Sequence, residues 1–300
     1  MNREYGEVVV GVDGSPDSLG ALRWAADEAV RRARRLRVVH ACGTEPPTAA
    51  VRDIAVHAAA EAWRWLPGVE TVASTDTGSP ISVLRRYSTS APLVVLGSRG
   101  GGVHDTLGSV SAALSDQADC PVLVVHDGRR WAAPDATLDC DGPIVVGFDS
   151  SHAAQHALRL AFHEAATRAA RLVTIHVWWH PDLWHAGTGH GTDLTAWSSG
   201  ADDVLRRAVH PWRERYPRID VELRPLTGDP AQVLAIASQC AQLVVLGVPG
   251  GHRSTLNHDV LRAAACPVLL AHAAPVNGVK RPVLRALADS TGTRHGPAGR

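Results

Sequence analysis

One unit is written twice in this chain, and that repeat limits the fold more than any other feature. VVVGVD at 8–13 returns as IVVGFD at 144–149, LVVLG at 93–97 as LVVLG at 243–247, and CPVLVVH at 120–126 as CPVLLAH at 266–272. The spacing between copies is 136, then 150, then 146 residues, so the second copy gains 14 residues before its LVVLG segment and loses 4 after it. A period of this size is a domain rather than a solenoid repeat. With 300 residues, 45% of them hydrophobic, each copy has the apolar material for its own core.

Within each copy the Val/Ile/Leu runs lack polar alternation, which implies burial on both faces and hence a parallel sheet covered by helices. After VGVD, Ser15 suits a helix N-cap and Pro16 the first helical position, and Leu19, Leu22, Ala26, Ala29 and Ala33 recur at helical spacing. The rest of the first copy predicts a strand at 36–42, a helix near 50–65, a strand near 69–75, a helix at 80–89 and a strand at 92–97. A glycine-rich loop, a helix near 109–118 and a strand at 121–126 complete it. Five parallel strands with right-handed crossovers make a doubly wound sheet. The expected fold class is α/β: two tandem Rossmann-like domains of five strands each.

Such sheets bind ligands beyond the C-terminal ends of their strands, where the strand order reverses, which singles out the loops after strands one and four. The first, DGSPDS at 13–18, resembles the SGGxDS loop of adenylate-forming pyrophosphatases. Asp13, however, would face the anion with a negative charge, Pro16 removes an amide donor, and the second copy reads DSSHAA. The second loop is VVLGSRGGGVHDTLGSVS at 94–111. Gly97, Gly100, Gly101 and Gly102 come directly off a strand, and Gly108-Ser109-Val110-Ser111 open a helix. Glycines let backbone approach a ligand, and a helix start offers free amides and a positive dipole end. Ser109 and Ser111 add hydroxyls, so this is an anion cradle that needs no lysine; the alternative is a surface loop whose glycines serve only turns.

Composition excludes other classes. Basic and acidic residues balance at 30 each, so no bulk field favours nucleic acid or an anionic membrane. Lys280 is the single lysine, which removes lysine-dependent chemistry. No apolar run approaches the roughly 18 residues of a membrane span, and the start MNREYGE is charged where a signal peptide is apolar. The expected location is cytoplasmic. Cys42, Cys120, Cys140, Cys240 and Cys266 show no CxxC spacing and read as reduced, mostly buried thiols.

Both halves resemble universal stress protein domains, over about residues 6 to 273. The resemblance rests on VVVGVDGSPDSLGALRWAADEA, LRVVHA, GSPISVL, LVVLGSRGGG, LGSVS and CPVLVV in that order. It implies dimerisation through the last strand and, in one subclass, ATP binding through a G-x2-G-x9-G-[S/T] motif. Carried onto this chain, Gly11, Val12 and Asp13 would line adenine and ribose, Ala41 would lie against the adenine, and Gly97, Gly100, Gly108, Ser109, Val110 and Ser111 would surround the phosphates. Seven residues, not nine, separate Gly100 from Gly108, with His104 and Asp105 at the tip. In the second copy only three separate Gly250 from Ser254, Pro249 removes a donor, and Thr255 and Asn257 replace Ser109 and Ser111. A non-glycine at the place of Gly108 is expected to cost roughly 1 kcal/mol if positive φ is required there. The second site therefore reads as degenerate, with Asp149 a relic or a structural cap.

The expected organisation is a first domain at 1–130 with the ATP site, a linker at 131–142, a second domain at 143–274 and a flexible tail at 275–300. The inserted segment HVWWHPDLWHAGTGHGTDLTAW at 176–197 reads as a solvated loop, its His180, Asp182, His185 and His190 fitting no standard metal spacing. Trp178, Trp179, Trp184 and Trp197 are expected at a sheet edge or domain contact. His40 and His176, ending the second strands, read as structural, and the 29 arginines as solvated helix faces. No Ser-His-Asp or Cys-His arrangement is suggested by spacing. The leading expectation is an ATP-binding regulator, with Mg²⁺ admissible, rather than a turnover enzyme; slow hydrolysis stays open. The alternatives are a scaffold without nucleotide, its halves paired as a pseudo-dimer and recruiting an unknown protein partner, and, more weakly, an adenylate-transferring enzyme. A homodimer through the last strands is also admitted.

Overall fold

β-branched runs such as Val8-Val9-Val10 and Ile144-Val145-Val146 become central strands because a stiff χ1 packs well on a pleated surface buried on both sides. The computed structural model describes residues 6–43, 46–99, 107–133, 138, 141–178, 194–250 and 254–272. The first copy runs β1 (Val8–Gly11), α1 (Pro16–Arg31), β2 (Leu36–Cys42), α2 (Ala49–Trp65), β3 (Thr71–Thr77), α3 (Pro80–Ser88), β4 (Val94–Gly97), α4 (Ser109–Gln117) and β5 (Val122–Val125), followed by α5 (Gly128–Ala132). The second runs β6 (Ile144–Gly147), α6 (His152–Thr167), β7 (Leu172–Trp178), α7 (Leu194–Arg215), β8 (Val221–Thr227), α8 (Pro230–Ser238), β9 (Leu243–Val248), α9 (Thr255–Ala263) and β10 (Val268–His272). The glycine-rich loop from Gly100, the inserted segment at 179–193, Cys140 and the tail lie outside the described residues.

All ten strands form one sheet in the order β3-β2-β1-β4-β5-β10-β9-β6-β7-β8. Neighbours are parallel except where β5 meets β10, an antiparallel join with Leu123 opposite Leu269. The last strands of the two copies therefore pair with each other inside one chain. Strand three begins at Thr71 rather than near 69, because Val69 donates to Leu66 O at 3.1 Å and closes the preceding turn.

Helix α5 was not anticipated. It crosses α1 where Gly20 and Gly128 touch: a Cβ on Gly20 would lie 2.4 Å from Gly128 O. Trp131, 4% exposed, packs edge-on against Trp24 and donates to His126 O at 2.9 Å. The expected linker from 131 thus begins with residues packed onto the first domain.

The expectation of solvated arginines fails at two positions. At the C-terminal ends of α1 and α6, Arg32 pairs with Glu28 and with Glu164 (2.6 Å), and Arg168 pairs with Glu28 and Glu164. Both carboxylates are 1% exposed. Burial pulls the Arg32 guanidinium below its ordinary value, opposed by the neighbouring Glu164. On the other face of the join, His126 Nε2–H donates to Leu261 O at 2.7 Å, and His272 Nε2 meets Ser115 O at 3.0 Å.

Cys120 and Cys266 are buried as expected, with burial pushing the Cys120 thiol up to about 12, but Cys240 is exposed.

Candidate functional site

The loop after β1 consumes its own amides. Ser15 caps α1 by accepting from Ser18 N (3.2 Å), Asp13 Oδ1 accepts from Ser15 N (2.9 Å), and Ser18 Oγ accepts from Asp13 N (3.3 Å). With Pro16 contributing no N–H, these donors are committed and the loop is no phosphate nest. His40 donates from Nδ1 to Val12 O at 2.8 Å, and His176 repeats this with Phe148 O at 2.7 Å. Each histidine ties the end of its second strand to the loop after its first, the structural role expected of it.

Between that loop and the start of α4 lies a cavity of about 480 Å³. Gly11, Val12, Asp13, Ala41, Gly97, Gly108, Ser109, Val110 and Ser111 all line it, nine of the ten residues singled out from sequence. Gly100 lies outside the described residues. The cavity sits beyond the C-terminal ends of β1 and β4, where the strand order reverses. Glycine at 97 is a matter of clearance: a Cβ there would lie 2.8 Å from Asp17 O, the backbone of α1.

Two details at α4 differ from expectation. Gly108 is the N-cap at φ −62°, ψ 146°, a conformation any residue adopts, so its glycine is not required by backbone strain. What glycine changes is the cap itself, because it has no side chain to bond the first-turn amides and the helix N-terminus opens onto the cavity uncapped. Ser111 donates its hydroxyl to Gly97 O at 2.6 Å and is 3% exposed. It fastens α4 to β4 and is not a hydroxyl donor to a ligand. The serine with an exposed position is Ser109.

Sequence reasoning missed several lining residues. Arg99, Leu84, Leu96 and Leu107 line the cavity together with Ser18 and His40. Arg99 was legible as the only cation within GSRGGG; the leucines come from three different elements and become neighbours only through folding.

The second copy caps its own helix start at the same place. Ser254 is the N-cap of α9 at φ −90°, and its hydroxyl accepts from Asn257 N at 3.2 Å. Asn257 donates to Gly247 O at 3.0 Å, as Ser111 does to Gly97 O. The expected strain at position 254 is absent; what distinguishes the copies is that the second spends a helix-start amide on its own serine. Asp149 accepts from Ser151 N at 3.0 Å, so it caps the turn as Asp13 does.

Ser115, His258 and Asp116 meet at the domain join, with His258 Nε2 3.4 Å from Ser115 Oγ and 3.0 Å from Asp116 Oδ2. Both contacts use one ring nitrogen, whereas a nucleophilic triad needs one on each. Among the described residues no cluster of three His, Cys, Asp or Glu could hold a metal ion, and no helix is long and apolar enough to cross a membrane.

The model of the universal stress protein family matches residues 4–126 and again 142–272. The chain belongs to the universal stress protein family. It is 32% identical over 295 residues to the universal stress protein Rv2005c of Mycobacterium tuberculosis, covering 90% of this chain and 98% of that one. It is 32% identical over 292 residues to Rv2623 of the same organism, covering 88% and 95%. Among solved structures, a universal stress protein from Archaeoglobus fulgidus superimposes with a TM-score of 0.59 at 16% identity, over 90% of this chain and 99% of that chain. At that identity the likeness concerns the fold. The doubled match covers the two copies read from the repeat.

Proposed function

We propose that the first-copy cleft binds ATP and that the protein is a cytoplasmic, nucleotide-responsive regulator rather than a turnover enzyme. The observation that carries this reading is the uncapped start of α4 at Gly108, facing a cavity of about 480 Å³. That volume suits a nucleotide-sized ligand. Gly11, Val12, Asp13 and Ala41 form the nucleoside side, with the apolar wall of Leu84, Leu96 and Leu107 against the base. Gly97, Gly108 and the amides of Ser109, Val110 and Ser111 form the phosphate side, together with Arg99; Gly100 is assigned there from its place in the sequence motif. A Mg²⁺ ion would be held chiefly by the phosphates themselves. Binding would change the surface around Gly97 and the start of α4 that a protein partner reads. The second copy, self-capped at Ser254, belongs to the regulator as a pairing domain.

Calorimetric titration with ATP and Mg²⁺ tests this. Saturable heat is expected from the unmodified chain, lost in Gly108→Val and weakened in Asp13→Ala, with Asp149→Ala unchanged. No heat up to millimolar ATP would leave the scaffold reading, which Ser254 and Asn257 already suit. Equal loss in Asp149→Ala would place the working site in the wrong copy.

A further inference from the structure

The ten-stranded sheet ends at β3 and β8, and among the described residues only the β8 edge carries protecting groups. In β8 the carbonyl of Asp220 accepts from Leu172 N, so residues 221, 223, 225 and 227 turn their backbone groups outward. Pro225 stands at one of these positions and offers no N–H. Arg213, from α7, donates to the outward carbonyl of Val221 at 2.7 Å. The neighbouring face of α7 carries Arg206 and His210, 65% and 74% exposed.

The same positions in the first copy hold none of these devices. Glu70 O accepts from Leu36 N and Gly78 N donates to Gly43 O, so Thr71, Ala73, Thr75 and Thr77 turn outward. The helix-to-strand turns match bond for bond (Leu66 N to Ala62 O, Tyr216 N to Trp212 O), which aligns Thr75 with Pro225, Trp63 with Arg213, Ala60 with His210 and Val56 with Arg206. Trp63 and Val56 are 57% and 54% exposed, one heptad apart on α2 with Ala60 between them. An open edge strand thus lies beside an exposed apolar helix seam.

We infer that this edge is a homodimer surface, where β3 and α2 meet their counterparts in a second copy of the chain about a two-fold axis. The register is self-complementary. With Ser74 on the axis, Ala73 faces Thr75 and Thr71 faces Thr77, so every outward backbone group finds a partner and no like charges oppose. The chain already uses this geometry once, at the antiparallel β5–β10 join that brings α1 against α6. A stable interface buries roughly 1,200 Å² or more, so the pairing requires the exposed Val56–Ala60–Trp63 seam to be covered along with the strand edge. The surface is separate from the ATP cleft.

Sedimentation velocity of the full chain over about a hundredfold concentration range should show a monomer–dimer equilibrium. Transplanting the second-copy guards, Trp63→Arg and Thr75→Pro, should each raise the dissociation constant about thirtyfold or more with unaltered circular dichroism. Trp63→Arg alone decides the matter if Thr75→Pro unfolds. Ser74→Cys should give a covalent dimer under mild oxidant that the parent chain does not, since cross-axis residues in this register lie about 4.5 Å apart. A monomer at every concentration, or a dimer indifferent to Trp63→Arg and uncrosslinked by Ser74→Cys, would overturn the inference.

Discussion

The two copies share a strand order, helix positions and even the histidine tie between β1 and β2 or β6 and β7, yet they treat their fourth helix in opposite ways. The first starts α4 at a glycine with no side chain, leaving the helix N-terminus to the cavity; the second starts α9 at a serine that takes the Asn257 amide for itself. Capping and ligand binding compete for the same amides. The duplicated helix start is therefore capped without disturbing the fold, by one hydroxyl that accepts from the Asn257 amide.

Where the copies are symmetric, they should fail alike. Arg168→Ala is expected to cost about 3–5 kcal/mol, because it leaves the buried Glu28 and Glu164 sharing Arg32 alone, one negative charge in excess, and Arg32→Ala should cost a similar amount. Chemical denaturation checks both; a loss below about 1 kcal/mol would mean that the cluster is solvated in solution. Where the copies differ, exchange should transfer the difference. Gly108→Ser installs the second copy's cap in the first and is expected to weaken ATP at least tenfold, about 1.4 kcal/mol, while stabilising the fold by a few tenths of a kcal/mol. Calorimetry and melting curves read the two effects separately.

The join offers a pH comparison. Burial holds the His126 imidazole below its ordinary value of 6.5, while the unfolded chain protonates it near that value. Below that pH the unfolded state binds the extra proton, so stability falls as the pH drops from about 6.5 toward the lower folded value. His126→Gln, which retains a donor for Leu261 O, should flatten the decline in melting temperature between about pH 7 and 5 relative to the parent chain. The smallest effect belongs to Ser254→Gly, a loss of a few tenths of a kcal/mol with no gain of ATP binding, because the short loop and Pro249 remain.

Much of the fold was readable because it depends on local pattern. Buried Val/Ile/Leu runs announced the strands, and Ser15-Pro16 announced the start of α1 to the residue. The cleft was readable through the position of two loops in a doubly wound sheet. What escaped depends on contacts between distant segments. Trp131 looked like linker because nothing near it in sequence reveals Trp24 as its partner. Glu28-Arg32 and Glu164-Arg168 read as ordinary surface i,i+4 pairs, although their recurrence at the same 136-residue spacing was a signal that they meet. The hydroxyl of Ser111 was assigned to a ligand because Gly97 O, its acceptor, lies fourteen residues away.

The antiparallel join between β5 and β10 also gives the molecule a front and a back. Strands of the two halves point in opposite directions, so their C-terminal ends lie at opposite ends of a single slab. Two identical domains joined in this way would present the same mouth at either end, and a partner could dock at both. In this chain the two ends differ, because the start of α4 has no side-chain cap whereas the start of α9 is capped by Ser254, so a ligand that reads helix-start amides would meet different chemistry at the two ends.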